Sequence, residues 1–355
     1  MKYLEINKND LVYNVSKLKE HCSPAKIIAV LKGNAYGLDM IQFGHLLLEN
    51  GIDTFAVSEL SEALVLREAG FENEIILLTP TNNVDEAKII VDNKITATIA
   101  SEYNAEILNA IGLPVDAHIK IDTGFGRYGF YNNELTDKLK NFENITYTGV
   151  FSHFSNSFGK DEKYSKQQFS RFEEALEILN KLGINPPTKH ICNSCGALRY
   201  DFAKLDAVRI GSAFLGRLPI ENTLELKRIA HLKCSVSEIR NLPKDSVVGY
   251  ANTYKTKRDT KAAVIPVGYK DGYGVQKSND TFRFMDILRY MFADFKTFRK
   301  KIYVAINGKN YPIIGRISMH NIVVDVTGSD VKVGDIATLE CNPILLKSEI
   351  KRIYI

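Results

Sequence analysis

Short apolar runs alternate with longer amphipathic stretches through the first 215 or so residues. The runs fall at 25–31, 53–58, 73–78, 95–100, 115–122, 145–153, 188–193 and 206–211, and they are rich in Ile, Val and Thr. Runs of that length and composition predict buried strands. Between them, 40–50, 59–70 and 166–183 repeat apolar side chains at three- and four-residue spacing, the period of one helix face. Gly70 and Gly183 stand where a helix would end. Alternating strands and helices predict a parallel sheet. Eight such units in about 200 residues match the count and size of a (β/α)8 barrel. A doubly wound open sheet would usually carry a glycine-rich phosphate loop after its first strand, and none follows 25–31. The connection 190–206 is short for a full helix.

The pattern changes after residue 228. KCSVSEIR, KAAVIPVG, KIYVAING, YPIIGRI, NIVVDVT and GDIATLE are short strand-like runs separated by turn residues, and Asn307–Gly308 is a hairpin signal. The expected fold is therefore α/β: an N-terminal (β/α)8 TIM-type barrel over 1–228, then a C-terminal mainly-β domain over 229–355. One aromatic and basic segment with helical spacing, 280–301, interrupts the second part.

Composition narrows the functional classes. The chain has 355 residues, enough for two or three domains, with 45% apolar and 25% charged residues. A net charge of +4 is too balanced to argue for nucleic acid or an anionic membrane as partner. No run approaches the roughly 18 apolar residues of a membrane span, and MKYLEINKND lacks the apolar stretch of a secretory signal. Five scattered cysteines are no disulfide framework, which favours a cytoplasmic location.

In a barrel of this kind the working residues gather at the C-terminal ends of the strands. Those ends carry Lys32; then Lys120, Asp122 and Arg127; then His153; then His190, Asn193 and Ser194; then Arg209 and Gly211. A lysine closing an apolar run has its stem buried and its amine partly desolvated, which makes the amine a nucleophile towards aldehydes. Ser194, Gly211 and the nearby backbone amides fall where barrels often bind phosphate. A Schiff-base lysine beside a phosphate cradle points to pyridoxal 5'-phosphate. Singly, each residue has a plainer reading: Arg127 as a partner for Asp122, His153 as a hydrogen-bonded barrel histidine. His190, Cys192 and Cys195 also form a fragment of a zinc pattern, but only three ligands are local, so no metal is expected.

Eight blocks in sequence order carry a resemblance: AVLKGNAYG, KIDTGFGRYGF, FSHFSNS, CNSCGALR, VRIGSAFLG, VVGYANTY, PVGYKDGYG and GRISMHNIVVDV. They resemble the alanine racemase family from the first strand to about residue 340. The resemblance implies a homodimer in which the partner's β domain completes each site, and racemisation of a small amino acid by two bases. Carried over residue by residue, Lys32 would hold the cofactor and serve one face, and Tyr250 of the partner subunit would serve the other. Tyr36, Ser194 and the backbone around Gly211 would take the phosphate, with Asn193 beside them. Arg209 would face the pyridine nitrogen, with His153 beside the ring or bonded to Arg209. Arginine will not give that nitrogen a proton, so the ring stays a weaker electron sink and side reactions are limited. Arg127 would bind the substrate carboxylate, Met319 and Tyr269 would border the substrate channel, and Lys120 matches a lysine that some members carbamylate.

The chain departs from the family pattern in three places. His320 stands where aspartate usually follows the methionine, which exchanges an anion for a neutral or cationic group and opens the choice between alanine, another amino acid such as serine, and a non-racemising relative that binds pyridoxal 5'-phosphate. A segment near 278–298 is inserted, and its Phe282, Phe284, Leu288, Tyr290, Phe292 and Phe295 call for burial. The C-terminus is shortened, with Ser348 near the place of a phosphate-binding tyrosine and Tyr354 as a substitute.

Overall fold

The computed structural model describes residues 1–276, 278–281, 283–297 and 301–355. The chain forms two compact units, one of Lys8–Ile229 and one of Met1–Asn7 with Ala230–Ile355. Strand β1 (Lys2–Ile6) therefore belongs with the C-terminal half. It pairs antiparallel with 230–234 and parallel with 351–354. This corrects the division of the chain at 228/229, which left residues 1–7 with the barrel. A five-residue strand shows no local sign of which sheet will take it, because its hydrogen-bond partners lie more than 220 residues away.

The first unit is the expected barrel. Its parallel strands are β2 (Lys26–Val30), β3 (Thr54–Val57), β4 (Glu74–Leu77), β5 (Ala97–Ile99), β6 (Val115–Lys120), β7 (Ile145–Phe151), β8 (Thr188–His190) and β9 (Ala207–Ile210). They pair in the orders β4-β3-β2-β9 and β5-β6-β7-β8. A parallel bridge between Ile76 and Thr96 joins one edge. Backbone bonds from Asp206 to Lys189 and from Arg209 to Cys192 join the other. Ile28, Val30, Ala56, Ile76 and Ala207 pack together inside.

Helices α1 (Lys8–Cys22), α2 (Lys32–Gly37), α3 (Met40–Glu49), α4 (Leu60–Glu68), α5 (Val84–Asp92), α6 (Glu102–Ala110), α7 (Lys163–Lys181) and α8 (Ser194–Arg199) fill most connections. Between β8 and β9 stands only the six-residue α8 and a 3-10 turn, as the short connection predicted. Between β6 and β7 the helix is replaced by two 3-10 turns, Asn132–Glu134 and Asp137–Asn141. There Gly124, Gly126 and Gly129 all adopt positive φ, so this connection is spent on a tight loop.

The second unit is a nine-stranded sheet in the order β11-β14-β17-β16-β15-β18-β10-β1-β19. Its strands, in chain order after β1, are β10 (Ala230–Ser235), β11 (Glu238–Leu242), β14 (Thr260–Ile265), β15 (Tyr303–Ile306), β16 (Lys309–Ile314), β17 (Ile322–Asp325), β18 (Ile336–Leu339) and β19 (Lys351–Tyr354). A separate two-stranded ribbon joins β12 (Val247–Val248) to β13 (Tyr254–Lys255). Asn307 and Gly308 turn the β15–β16 hairpin with φ of 52° and 75°, the left-handed pair such a turn needs. Tyr354 lies in β19 opposite Ile6.

The inserted segment forms α9 (Phe284–Thr297). Phe284, Met285, Met291, Phe292 and Phe295 are exposed in the single chain, and Leu288 and Tyr290 are half-buried. The burial expected for these aromatics is thus not supplied within one copy. Phe282 lies outside the described residues.

Candidate active site

A cavity of about 430 Å³ opens at the C-terminal ends of the barrel strands. Lys32, Tyr36, Lys120, Arg127, His153, Asn193, Ser194, Arg209 and Gly211 all line it. Nine of the eleven barrel residues singled out in the sequence thus meet on one surface, together with Tyr128, Phe151 and Ser212, while Asp122 and His190 do not line it.

Lys32 is presented by an unusual turn. Gly33, Asn34, Ala35 and Tyr36 have φ between 52° and 63°, a full left-handed turn. Three non-glycine residues in that conformation cost about 3–6 kcal/mol. The surroundings hold them there. Glu62 Oε1 accepts from Gly33 N at 2.6 Å and from Asn34 N at 3.4 Å. Its Oε2 accepts from Ser58 N and Glu59 N at the start of α4. Asn34 Oδ1 accepts from Met40 N at 2.8 Å. The turn brings Tyr36 onto the same cavity wall as Lys32. Glu62 was missed in the sequence; its only local signal was the helix-start pattern it completes.

The phosphate side is equally specific. Asn193 caps α8, its Oδ1 accepting from Gly196 N at 3.0 Å and from Ser157 Oγ at 2.8 Å. Ser194 Oγ accepts from Gly211 N at 3.0 Å. A Cβ at position 211 would overlap the Tyr36 hydroxyl, so only glycine lets the tyrosine approach that backbone. Burial pushes the Tyr36 phenol up to about 12, which keeps it a neutral donor.

Arg209 is buried at 3% exposure. Its terminal nitrogens donate to Ser152 O, Ile191 O and His190 O, and they meet His190 Nδ1 at 2.6 Å and His153 Nδ1 at 3.2 Å. Its Nε–H has no acceptor among the described residues. Burial brings the guanidinium down to about 10, which still leaves it cationic at neutral pH. Burial and the neighbouring Arg209 and Arg127 hold His153 well below the ordinary imidazole value. His153 is therefore neutral, and Nδ1 is its acceptor.

Arg127 does not pair with Asp122. The Asp122 carboxylate is taken up by the backbone amides of Gly124, Phe125, Gly126 and Arg127. The Arg127 guanidinium instead lies over the Phe125 ring at 4.4 Å and stays available to an anion. Lys120 is buried, its amine 5.3 Å from the Tyr128 ring centre and 5.2 Å from that of Phe151. Burial, then Arg127 and Arg209, bring its pKa down to about 7. Desolvation and the same two guanidiniums also lower the Lys32 amine.

Tyr250, Tyr269 and Met319 lie in the β unit, and each is exposed. Tyr269 N donates to Ser318 O and Lys270 N to Met319 O, both at 3.1 Å. A Cβ on Gly268 would meet those two carbonyl groups, and one on Gly249 would press on Arg316 N. The segment 315–319 thus gathers the Tyr250 and Tyr269 loops at one place. Lys2 Nζ, 2.7 Å from Asp271, ties β1 to the same loop. His320 is exposed beside Met319.

His190 and Cys192, two members of the zinc-like fragment, have other partners: His190 meets Arg209, and Cys192 Sγ donates to Ala203 O. No cluster of three metal-ligating side chains occurs among the described residues.

Comparison with known proteins shows the family. Residues 6–219 match the alanine racemase N-terminal domain and residues 229–350 match its C-terminal domain. The chain belongs to the alanine racemase family. It is an amino-acid racemase, an isomerase. Similar proteins include alanine racemase 2 of Caldanaerobacter subterraneus subsp. tengcongensis, 33% identical over 94% of this chain and 83% of the relative. The alanine racemase of Methanococcus maripaludis is 31% identical over 95% of this chain and 88% of the relative. Among solved structures, the alanine racemase of Clostridium difficile 630 superposes with a TM-score of 0.86 at 25% identity, covering 100% of this chain and 95% of that one. That of Bacillus anthracis with bound L-Ala-P gives 0.80 at 27% identity, over 100% and 95%.

Proposed function

We propose that this racemase interconverts L- and D-alanine with pyridoxal 5'-phosphate, as a homodimer in which a second copy supplies Tyr250, Tyr269 and Met319. The observation that carries the reading is the single cavity joining Lys32, the Tyr36–Ser194–Gly211 cradle and Arg209. The donor set fits the cofactor. A glycine gap and neutral hydroxyls suit a phosphate, and a spare guanidinium N–H suits an unprotonated ring nitrogen.

Bound there, the cofactor would supply an electron sink that acidifies the substrate α-proton. The chain's residues would do the rest. Lys32 holds the cofactor through its amine, whose lowered pKa favours the nucleophilic free base. That amine would also move the α-proton on one face. Tyr250 of the partner subunit moves it on the other, since inversion needs a base on each side. Arg127 holds the substrate carboxylate, and Tyr269 and Met319 narrow the approach. Arg209, which stays protonated, would donate to the ring nitrogen without giving it a proton. A carbamate on Lys120 would give Arg127 an anionic partner and fix its direction.

The test is solvent exchange. The cofactor-loaded protein in D2O, given L-alanine, should lose the α-proton signal and yield D-alanine by chiral chromatography. Exchange confined to serine would reassign the substrate, with His320 the first residue to exchange. No exchange with any amino acid would sink the reading.

A further inference from the structure

A row of polar side chains crosses the barrel behind Arg209. Arg209 Nη1 lies 2.6 Å from His190 Nδ1. His190 Nε2 lies 3.0 Å from His118 Nδ1. His118 Nε2 lies 3.5 Å from Glu74 Oε1. His118 and His190 are buried at 1% and 0% exposure. Glu74 is exposed, at the N-terminal end of β4, and so on the barrel face opposite the cavity.

The row has one possible direction. A guanidinium donates and never accepts, so His190 Nδ1 must accept. Burial and Arg209 hold His190 well below the ordinary imidazole value, so its ring is neutral. A neutral imidazole accepting at Nδ1 carries its proton on Nε2, and that proton goes to His118 Nδ1. His118 in turn carries a proton on Nε2, facing the Glu74 carboxylate. Burial works against that carboxylate, but the hydrogen bonds it accepts from His118 and the Thr96 hydroxyl outweigh it and hold Glu74 below its ordinary value.

The barrel makes room for this row. The β6–β7 register shifts between Ala117 and His118. Across from it, Gly149 leaves a gap that a Cβ would close against the His118 ring. Phe151 stacks on His190, ring centres 5.1 Å apart and planes 8° from parallel.

We propose that His118 and Glu74 are positioning residues for the reaction: they lock His190 in the Nε2–H tautomer, and His190 in turn holds Arg209 with its Nε–H left to the cofactor. The part played towards the cofactor rests on the proposed function. The tautomer lock does not. Without the row, Arg209 alone favours the Nε2–H form, and that proton is left buried with no acceptor, so the Nδ1–H form, which opposes the guanidinium donor to donor, becomes accessible.

The experiment reads histidine tautomers by 15N NMR in the cofactor-free protein, alongside kinetics of the loaded enzyme. The wild type should show both rings neutral with the proton on Nε2. In His118→Asn the side-chain oxygen takes the place of Nδ1, so His190 should keep its tautomer and kcat should hold. In His118→Leu His190 should become a tautomer mixture, and kcat should fall about tenfold with KM little changed, the scale of one hydrogen bond to a charged group. Glu74→Leu, at an exposed position that tolerates exchange, should turn the His118 signals to a mixture. A single Nε2–H tautomer for His190 in folded His118→Leu, or an Nδ1–H wild type, would overturn the proposal. Unchanged His118 signals in Glu74→Leu would remove Glu74 from it. Absent alanine turnover in the wild type counts against the activity, and the tautomers still decide this row.

Discussion

At the residue scale, two lysines share one electrostatic field and are assigned opposite work. Lys32 and Lys120 both lose proton affinity to desolvation, Arg127 and Arg209. Both line the cavity, Lys32 as an exposed side chain and Lys120 buried at 5% exposure. Replacing Lys32 with Ala should abolish turnover and the visible absorbance of the bound cofactor. Replacing Tyr250 with Phe should keep the absorbance and lose racemisation in both directions, while α-proton exchange with D2O persists from only one enantiomer, the one whose α-proton faces Lys32. Equal retention of exchange from both enantiomers would refute the one-face assignment. Lys120 makes a pH prediction. Its folded value of about 7 lies below the roughly 10.4 of an unfolded chain. Between these values the unfolded state binds more protons, so stability falls as pH drops from about 10 towards 7 and then levels. In CO2-free buffer Lys120→Met should therefore be the more stable form at pH 7, with the gap closing near pH 10, as followed by thermal melts. Added bicarbonate should narrow the gap at pH 8 if a carbamate forms, since an anion facing Arg127 belongs in that site.

At the scale of elements, the barrel strands were legible because each is apolar and bounded by turns. The eight runs and the eight strands agree to within a few residues. What escaped was backbone conformation. Nothing in KGNAYG announces a left-handed turn, because its stability comes from Glu62, about 30 residues further on. Nor did GFGRYG show that Asp122 would be consumed by four backbone amides. The glycines are the checkable part. Gly211→Ala should push Tyr36 off the cradle and weaken cofactor binding by about tenfold or more, a steric cost of about 1–3 kcal/mol. Cofactor titration of the apoprotein measures it. Unchanged affinity would mean that Tyr36 does not contribute to the cradle. Helix α9 was legible as a helix from its spacing, and its exposed aromatic face was not, since burial is set by what packs on it.

At the scale of the whole molecule, the proposed site is split between copies, and this yields a prediction no single-chain measurement can mimic. Lys32→Ala and Tyr250→Phe proteins, each unable to racemise, should complement on mixing. A mixed dimer holds one site with both defects and one with none. Random reassortment of equal amounts makes about half the dimers mixed, so roughly a quarter of wild-type activity should return. No recovery after verified subunit exchange would place Lys32 and Tyr250 in the same chain's site.

The sequence by itself determined the barrel, the β-rich second half and the inventory of chemical groups, because apolar period and residue type are local properties. It also ordered the blocks that place the chain in its family. Only tertiary structure decided where β1 pairs, which carboxylate Arg127 does without, how Lys32 is held, and that His118 and Glu74 stand behind Arg209. Each of these depends on partners distant in sequence. Hydrogen-bond direction and desolvation are properties of the assembled neighbourhood, and they do not exist until the strands are brought side by side.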